Sequence, residues 1–273
     1  MRGNHSRSIV KELMKEKERG AAALKPDEGR AGSNLTAHLH PLLQDARAVL
    51  FDAGGTLTHP DWERIALLAK QETGRAFDAV EMRRTLYEAL RELDARLSEE
   101  KVRTIHTRRQ GWVFHDLFSA LGIDEETCER LRMQIVAAHN EKHMWCGLDP
   151  EVPFVVNELK RAGLLVGVIS NTEDGRLEEL LELIDIAAHF DLLVDSYVVG
   201  LRKPDAVIFH QTLEQLALKP REAVYVGDSY GHDVVGAQCA GLRAILLDPF
   251  DLYKDSDCPR IHALSELTGD VRC

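Results

Sequence analysis

No run of the chain approaches the ~20 apolar residues that a bilayer-spanning helix needs, so the sequence argues against a helical membrane protein and predicts a soluble one. Cysteine is sparse. The five present (Cys128, Cys146, Cys239, Cys258, Cys273) stand at irregular spacing without a C-x-x-C pair, as expected of reduced thiols in a cytosolic protein. Positive charge is in deficit, 34 Lys+Arg against 45 Asp+Glu for a net −11. With the acidic residues spread along the chain, nothing supports binding to a nucleic-acid backbone. The opening MRGNHSRSIVKELMKEKERG lacks an apolar stretch, so a secretory signal does not fit, and its glutamates fit a transit peptide poorly. The expected location is cytoplasmic. What is present, 44% hydrophobic and 29% charged residues in a chain of 273, is an ordinary globular composition.

Residues 1–45 lack a sustained apolar pattern and end in the loop-like GRAGSNLTAHLHP, which predicts a mobile extension with at most a short helix. From Arg47 onward, short apolar runs read as buried parallel strands: AVLF (48–51), LLVGVIS (164–170), AVYVG (223–227) and AILL (244–247), with a fifth strand in DLLVDSYVV (191–199). Helical patterns such as PEVPFVVNELKRAG and DVVGAQCAG alternate with them. The predicted fold is therefore α/β, a doubly wound, mostly parallel sheet with its functional edge at the strand C-termini. Residues 60–148 read almost entirely as amphipathic helix. A segment that long between two strands must be a unit of its own, so the expected organisation is a helical cap (60–148) inserted into a core (46–59 and 149–273).

Three polar signals follow three of these strands. Asp52 stands in VLFDAGGTLTHP, where Gly54 and Gly55 let the backbone turn and approach a ligand. Ser170 and Asn171 offer a hydroxyl and amides to an anion. Gly227-Asp228-Ser229 ends the third strand, with Asp233 five residues beyond Asp228. Carboxylates converging at one crevice repel one another unless a cation is present, so Asp52, Asp228 and Asp233 imply a hard divalent metal, most simply Mg²⁺. Lys203, in GLRKPDAVIF, supplies the positive charge that an anionic ligand still needs.

With these residues in that order, the sequence resembles the haloacid dehalogenase superfamily, specifically its magnesium-dependent phosphatase branch. DAGGTL (52–57), the strand ending at Ser170, Lys203 in RKPD, and GDSYGHD (227–233) match the four motifs, and the helical insertion matches the family's cap of the first type. The resemblance implies that Asp52 attacks phosphorus, forming an aspartyl-phosphate. It implies that Ser170, Asn171, Lys203 and Gly55 hold the phosphoryl group of a small phosphorylated substrate. It also implies Mg²⁺ on Asp52, the Gly54 carbonyl and Asp228, with Asp233 joining them or orienting the metal's waters or Lys203.

The pattern departs from the family at Gly54, where most such phosphatases carry a second aspartate as general acid. Such a donor contributes ~10² to 10⁴-fold, so esters whose leaving group needs no proton, acyl and aryl phosphates, are the expected substrates unless His59, Asp61 or a cap residue substitutes. The competing readings are a non-catalytic binding module, a phosphonate-cleaving enzyme using Lys70, Lys101 or Lys142, and a metal-free dehalogenase. Elsewhere the expectations are structural. His139 and His143 read as a solvated helix face without a third metal ligand; Trp112, Phe114, Phe118 and Leu121 as core; Arg83-Arg84 and Arg108-Arg109 as surface.

Overall fold

The run Ala48–Phe51 (β1) is buried on both faces, as a strand in the middle of a parallel sheet must be. In the computed structural model, which describes residues 38–96 and 113–269, it lies between Leu165–Ser170 (β4) and Ala223–Gly227 (β6). Two short strands, Thr58–His59 (β2) and Gly147–Leu148 (β3), pair apart from this sheet. Leu192–Asp195 (β5), Arg243–Leu247 (β7) and Arg260–Ile261 (β8) complete a six-stranded sheet of order β5-β4-β1-β6-β7-β8. Every neighbouring pair in it is parallel, and the order reverses direction on either side of β1, so its C-terminal end opens at the crevice where α/β sheets bind ligands.

The period-2 alternation of β1 divides the core. Val49 and Phe51 pack with helices Val152–Arg161 and Leu177–Leu183, through Val152, Val155, Leu177 and Leu181. Ala48 and Leu50 face the other side, against Ile208 and Phe209 of helix Ala206–Gln215 and Ala237 of helix Val235–Cys239. The fifth strand stops at Asp195 rather than running to 199. The Asp195 carboxylate accepts the Tyr197 and Val198 N–H groups and caps a helical turn. Residues 38–45 also differ from the expected mobile extension: Leu39 and Leu43 are buried in the core and His40 N–H donates to Leu267 O at 3.0 Å. The extension over 1–37, together with Lys101, Arg108, Arg109, Trp112 and Cys273, lies outside the described residues.

The inserted segment contributes helices Trp62–Thr73 (α1), Ala79–Arg96 (α2), Val113–Ala120 (α3) and Glu125–Glu141 (α4). Their apolar stripes meet in a cluster of their own that includes Ile65, Met82, Leu86, Phe114, Phe118 and Leu131, with Leu121 packed against it. Asp61 caps α1 by accepting the Arg64 N–H at 3.1 Å, and Gly74 closes that helix in the left-handed region, φ 71°. β2 pairs antiparallel with β3, Thr58 opposite Leu148 and His59 opposite Gly147. The chain therefore leaves the sheet and returns to it through two segments bonded side by side, which ties the base of the insertion to the loop that follows Asp52.

Candidate active site

Asp52 is the first residue past β1, and its N–H still donates to Val226 O at 2.9 Å, so the ladder fixes where its side chain emerges. Lys203 meets it there. The ammonium donates to Asp52 Oδ1 at 2.6 Å, Asp233 Oδ1 at 2.7 Å and the Tyr225 hydroxyl at 2.8 Å. The hydroxyl in turn donates to Ile169 O at 2.9 Å. All three Nζ donors are thus used by a side chain that is 2% exposed. Burial alone would lower the Lys203 ammonium, but Asp233 and Asp52 outweigh it and hold the group above its ordinary value. Asp233, 1% exposed, also accepts the Ser229 N–H on its other oxygen at 2.9 Å.

Asp52, Asp228 and Asp233 bring carboxylate oxygens within 4.8 Å of one another. Three carboxylates around one ammonium leave an uncompensated negative charge. Desolvation, and the Asp233 charge against the pull of Lys203, push the Asp52 carboxyl up to about 6. Desolvation and the charges of Asp52 and Asp233 raise Asp228 well above the usual carboxylate range. An all-oxygen donor set under such repulsion is what a hard divalent cation relieves. The approach is tight: a Cβ at Gly55, where φ is +98°, would lie 2.0 Å from Asp228 Oδ2. Only glycine permits that loop beside that carboxylate.

Ser170, 6% exposed at the end of β4, lines the same crevice with Asn171 and Gly54. Two of the expected phosphate contacts carry hydrogen bonds within the protein, Asn171 through its side chain and Gly55 through its N–H. The Asn171 side chain spends both ends of its amide on the Lys203 backbone, Nδ2 donating to Lys203 O at 2.9 Å and Oδ1 accepting Lys203 N–H at 3.0 Å. The Gly55 N–H donates to Thr58 O at 2.7 Å. Asn171 therefore positions the lysine, and Gly55 makes room for Asp228.

The family model of haloacid dehalogenase-like hydrolases matches residues 46–241. The chain belongs to that family. It is 35% identical over 144 residues to haloacid dehalogenase-like hydrolase domain-containing protein 3 of Xenopus laevis, covering 52% of this chain and 58% of that one. It is 30% identical over 205 residues to a glyceraldehyde 3-phosphate phosphatase of Methanopyrus kandleri, covering 73% of this chain and 82% of that one. A solved L-2-haloacid dehalogenase shares the fold at 19% identity and a TM-score of 0.56, over 84% of this chain and 100% of the other. The chain spans 58%, 66% and 44% of the length of the first curated relatives it matches.

The inserted helices of this haloacid dehalogenase-like hydrolase bring further groups to the crevice. Tyr87, buried on α2, donates to Gly55 O at 3.1 Å; desolvation and Asp228 raise its phenol well above its ordinary value, so it keeps its proton. Arg83 is not plain surface: it lines the cavity, with its guanidinium 5.9 Å from the Tyr87 ring centroid and 5.8 Å from that of Phe250. Lys70 and Lys142 are exposed and line no part of the cavity. Of the substitutes for the missing acid, Asp61 is committed to its helix cap. His59 lines the cavity 3.5 Å from Asp149.

The reading of His139 and His143 as a solvated face is corrected. His143 is buried, and Asp174, from the loop after β4, accepts from His139 Nε2 at 2.9 Å, placing a third potential ligand within 4.8 Å. Both rings nevertheless accept a backbone N–H on Nδ1, from Met144 at 3.1 Å and from Trp145 at 3.3 Å. That fixes the proton of each neutral ring on Nε2, opposite to the tautomer that an Nε2-bound metal requires. The cluster is a hydrogen-bonded latch between insertion and core. Desolvation and the nearby His139 push His143 down to about 4. An unfolded His143 therefore takes up its proton near pH 6.5 while the folded one stays neutral, so stability is lost as pH falls from about 6.5 to 4, by on the order of 1–3 kcal/mol. Denaturant titrations across that range should show a smaller loss in His143→Gln.

Proposed function

We propose that this chain is a Mg²⁺-dependent phosphatase that hydrolyses small phosphorylated substrates through a phosphoryl group carried on Asp52. One observation carries the reading: a carboxylate at the C-terminal end of the central strand, gripped on one oxygen by a buried lysine and facing two further carboxylates. A dehalogenase needs no metal and has no use for Asp228 and Asp233 together. A pure binding module has no use for a desolvated carboxylate pinned by an ammonium.

Asp52, Asp228 and the Gly54 carbonyl would hold the Mg²⁺, with Asp233 fixing Lys203 and, through Ser229 N–H, the loop that carries Asp228. When bound, the ion supplies charge neutralisation to the phosphoryl oxygens. The Asp52 carboxylate attacks phosphorus as the ester P–O bond breaks, its electron pair leaving on the ester oxygen. Ser170 holds the transferred group, and the Lys203 ammonium, bonded to Asp52 and itself 2% exposed, compensates its charge. Water then attacks the aspartyl-phosphate at phosphorus, releasing phosphate and restoring the carboxylate. With glycine at position 54, the substrates are acyl and aryl phosphates, whose leaving groups need no proton.

The test is phosphate release from acetyl phosphate and 4-nitrophenyl phosphate with and without Mg²⁺; absence of Mg²⁺-dependent release from both would overturn the reading. Mg²⁺ should also raise the melting temperature as a ligand of the folded state alone, by several degrees at millimolar concentration and pH 8. The shift should shrink at pH 5, because a proton on Asp52, raised to about 6, competes with the metal.

A further inference from the structure

The residue two places after Asp52 faces a ring. A Cβ at Gly54 would lie 3.1 Å from both Cε3 and Cζ3 of Trp145, so the indole occupies the space that any side chain there would enter. Trp145 is held in that place. Its ring stacks on Phe114 at 6.0 Å and 27°, Phe114 meets Trp62 edge-on at 6.1 Å, and the Trp145 backbone N–H donates to His143 Nδ1. From Asp52 a cavity of about 520 Å³ runs under the insertion, walled by Trp62, Leu86, Phe114, Met144 and Trp145. Of the polar side chains that reach it, Arg202 pairs with Glu173, His139 with Asp174 and His59 with Asp149, and the Arg83 guanidinium lies beside the Tyr87 and Phe250 rings.

The body of a substrate whose phosphoryl group sits at Asp52 must therefore lie against aromatic and aliphatic walls. The volume takes a phosphoryl group with one or two rings. We infer that Trp145 is the specificity-determining residue of the site and that its substrates are aryl phosphates, the aromatic leaving group stacked on the indole. This rests on the phosphatase reading. The aryl oxygen departs with the electron pair of the broken P–O bond as an aryloxide and takes its proton from water, so no donor is required at position 54.

The experiment compares 4-nitrophenyl phosphate, acetyl phosphate and glycerol 1-phosphate in the wild type, Trp145→Ala, Trp145→Phe, Gly54→Asp and the Gly54→Asp/Trp145→Ala double variant. Trp145→Ala should raise KM for the aryl ester about 3- to 10-fold, the worth of a stacked aromatic pair. It should leave KM for acetyl phosphate unchanged, and Trp145→Phe should restore most of the loss. Gly54→Asp alone should gain nothing on the alkyl ester, whereas the double variant, with room for the new carboxyl, should gain on the order of 10-fold or more. Equal KM changes for aryl and acetyl phosphates, or an alkyl gain in Gly54→Asp alone, would overturn the role of Trp145 while leaving the phosphatase reading intact. Wild-type inactivity on all three esters would remove the phosphatase reading and this inference with it.

Discussion

Asp52→Asn is expected to abolish Mg²⁺-dependent phosphate release, by ~10⁴-fold or more, because a residue that forms the covalent intermediate has no substitute in the site. The replacement is nearly isosteric, so its effect on folding can be separated from its effect on chemistry. Lys203 keeps Asp233 and Tyr225 as partners. The lost charge was one that burial already opposed, since Asp52 is held up to about 6. A carboxyl raised in the folded state binds a proton there before it does in the unfolded chain. Its contribution to folding is therefore fully present below about pH 4 and is lost progressively as pH rises from about 4 through about 6. Asp52→Asn removes that dependence and should be no less stable than the wild type at pH 7 in urea titrations without Mg²⁺. A variant that is folded, inactive and poorly stabilised by Mg²⁺ supports the role given to Asp52; one that retains more than a hundredth of wild-type turnover contradicts it.

The sheet was readable because its strands are apolar runs too short to be anything else once buried on both faces, as Ala48–Phe51 illustrates. The strand expected over 191–199 stops at Asp195 because that carboxylate, between the apolar LLV and YVV, caps the next turn, and an apolar pattern alone does not tell strand from helical turn on its far side. The site was readable to the same depth. Asp52, Ser170, Lys203, Asp228 and Asp233 follow or flank strand ends and so converge by topology alone. That the Asn171 side-chain amide and the Gly55 N–H are already bonded within the protein is not legible in the sequence. Tyr225 lies in the run AVYVG, where a buried hydroxyl needs a partner, but only the fold shows that the partners are Lys203 and Ile169 O. Trp145, Tyr87 and Arg83 carry no local signal, since the packing of the inserted helices alone brings them to the crevice. His139 and Asp174 meet across 35 residues of chain.

Lys203→Met should cost both activity and stability, and the two losses should respond differently to pH. Methionine keeps the length of the side chain but removes the one ammonium among Asp52, Asp233 and the Tyr225 hydroxyl. Two buried carboxylates then face each other without the ammonium between them, and breaking a buried pair from one side costs ~3–5 kcal/mol. For a domain of this size that lowers the melting temperature by on the order of 10 °C. Protonation relieves the repulsion. The destabilisation should therefore be largest near pH 8 and shrink toward pH 5, the opposite direction from the His143 effect. Adding Asp233→Asn should recover part of the lost stability, making the double variant more stable than the sum of the single changes predicts. Activity should not return at pH 5 or in the double variant, because the positive charge beside the transferred phosphoryl group remains absent. A Lys203→Met protein equally destabilised at pH 5 and pH 8 would mean that packing, and not charge compensation, is what Lys203 contributes to the fold.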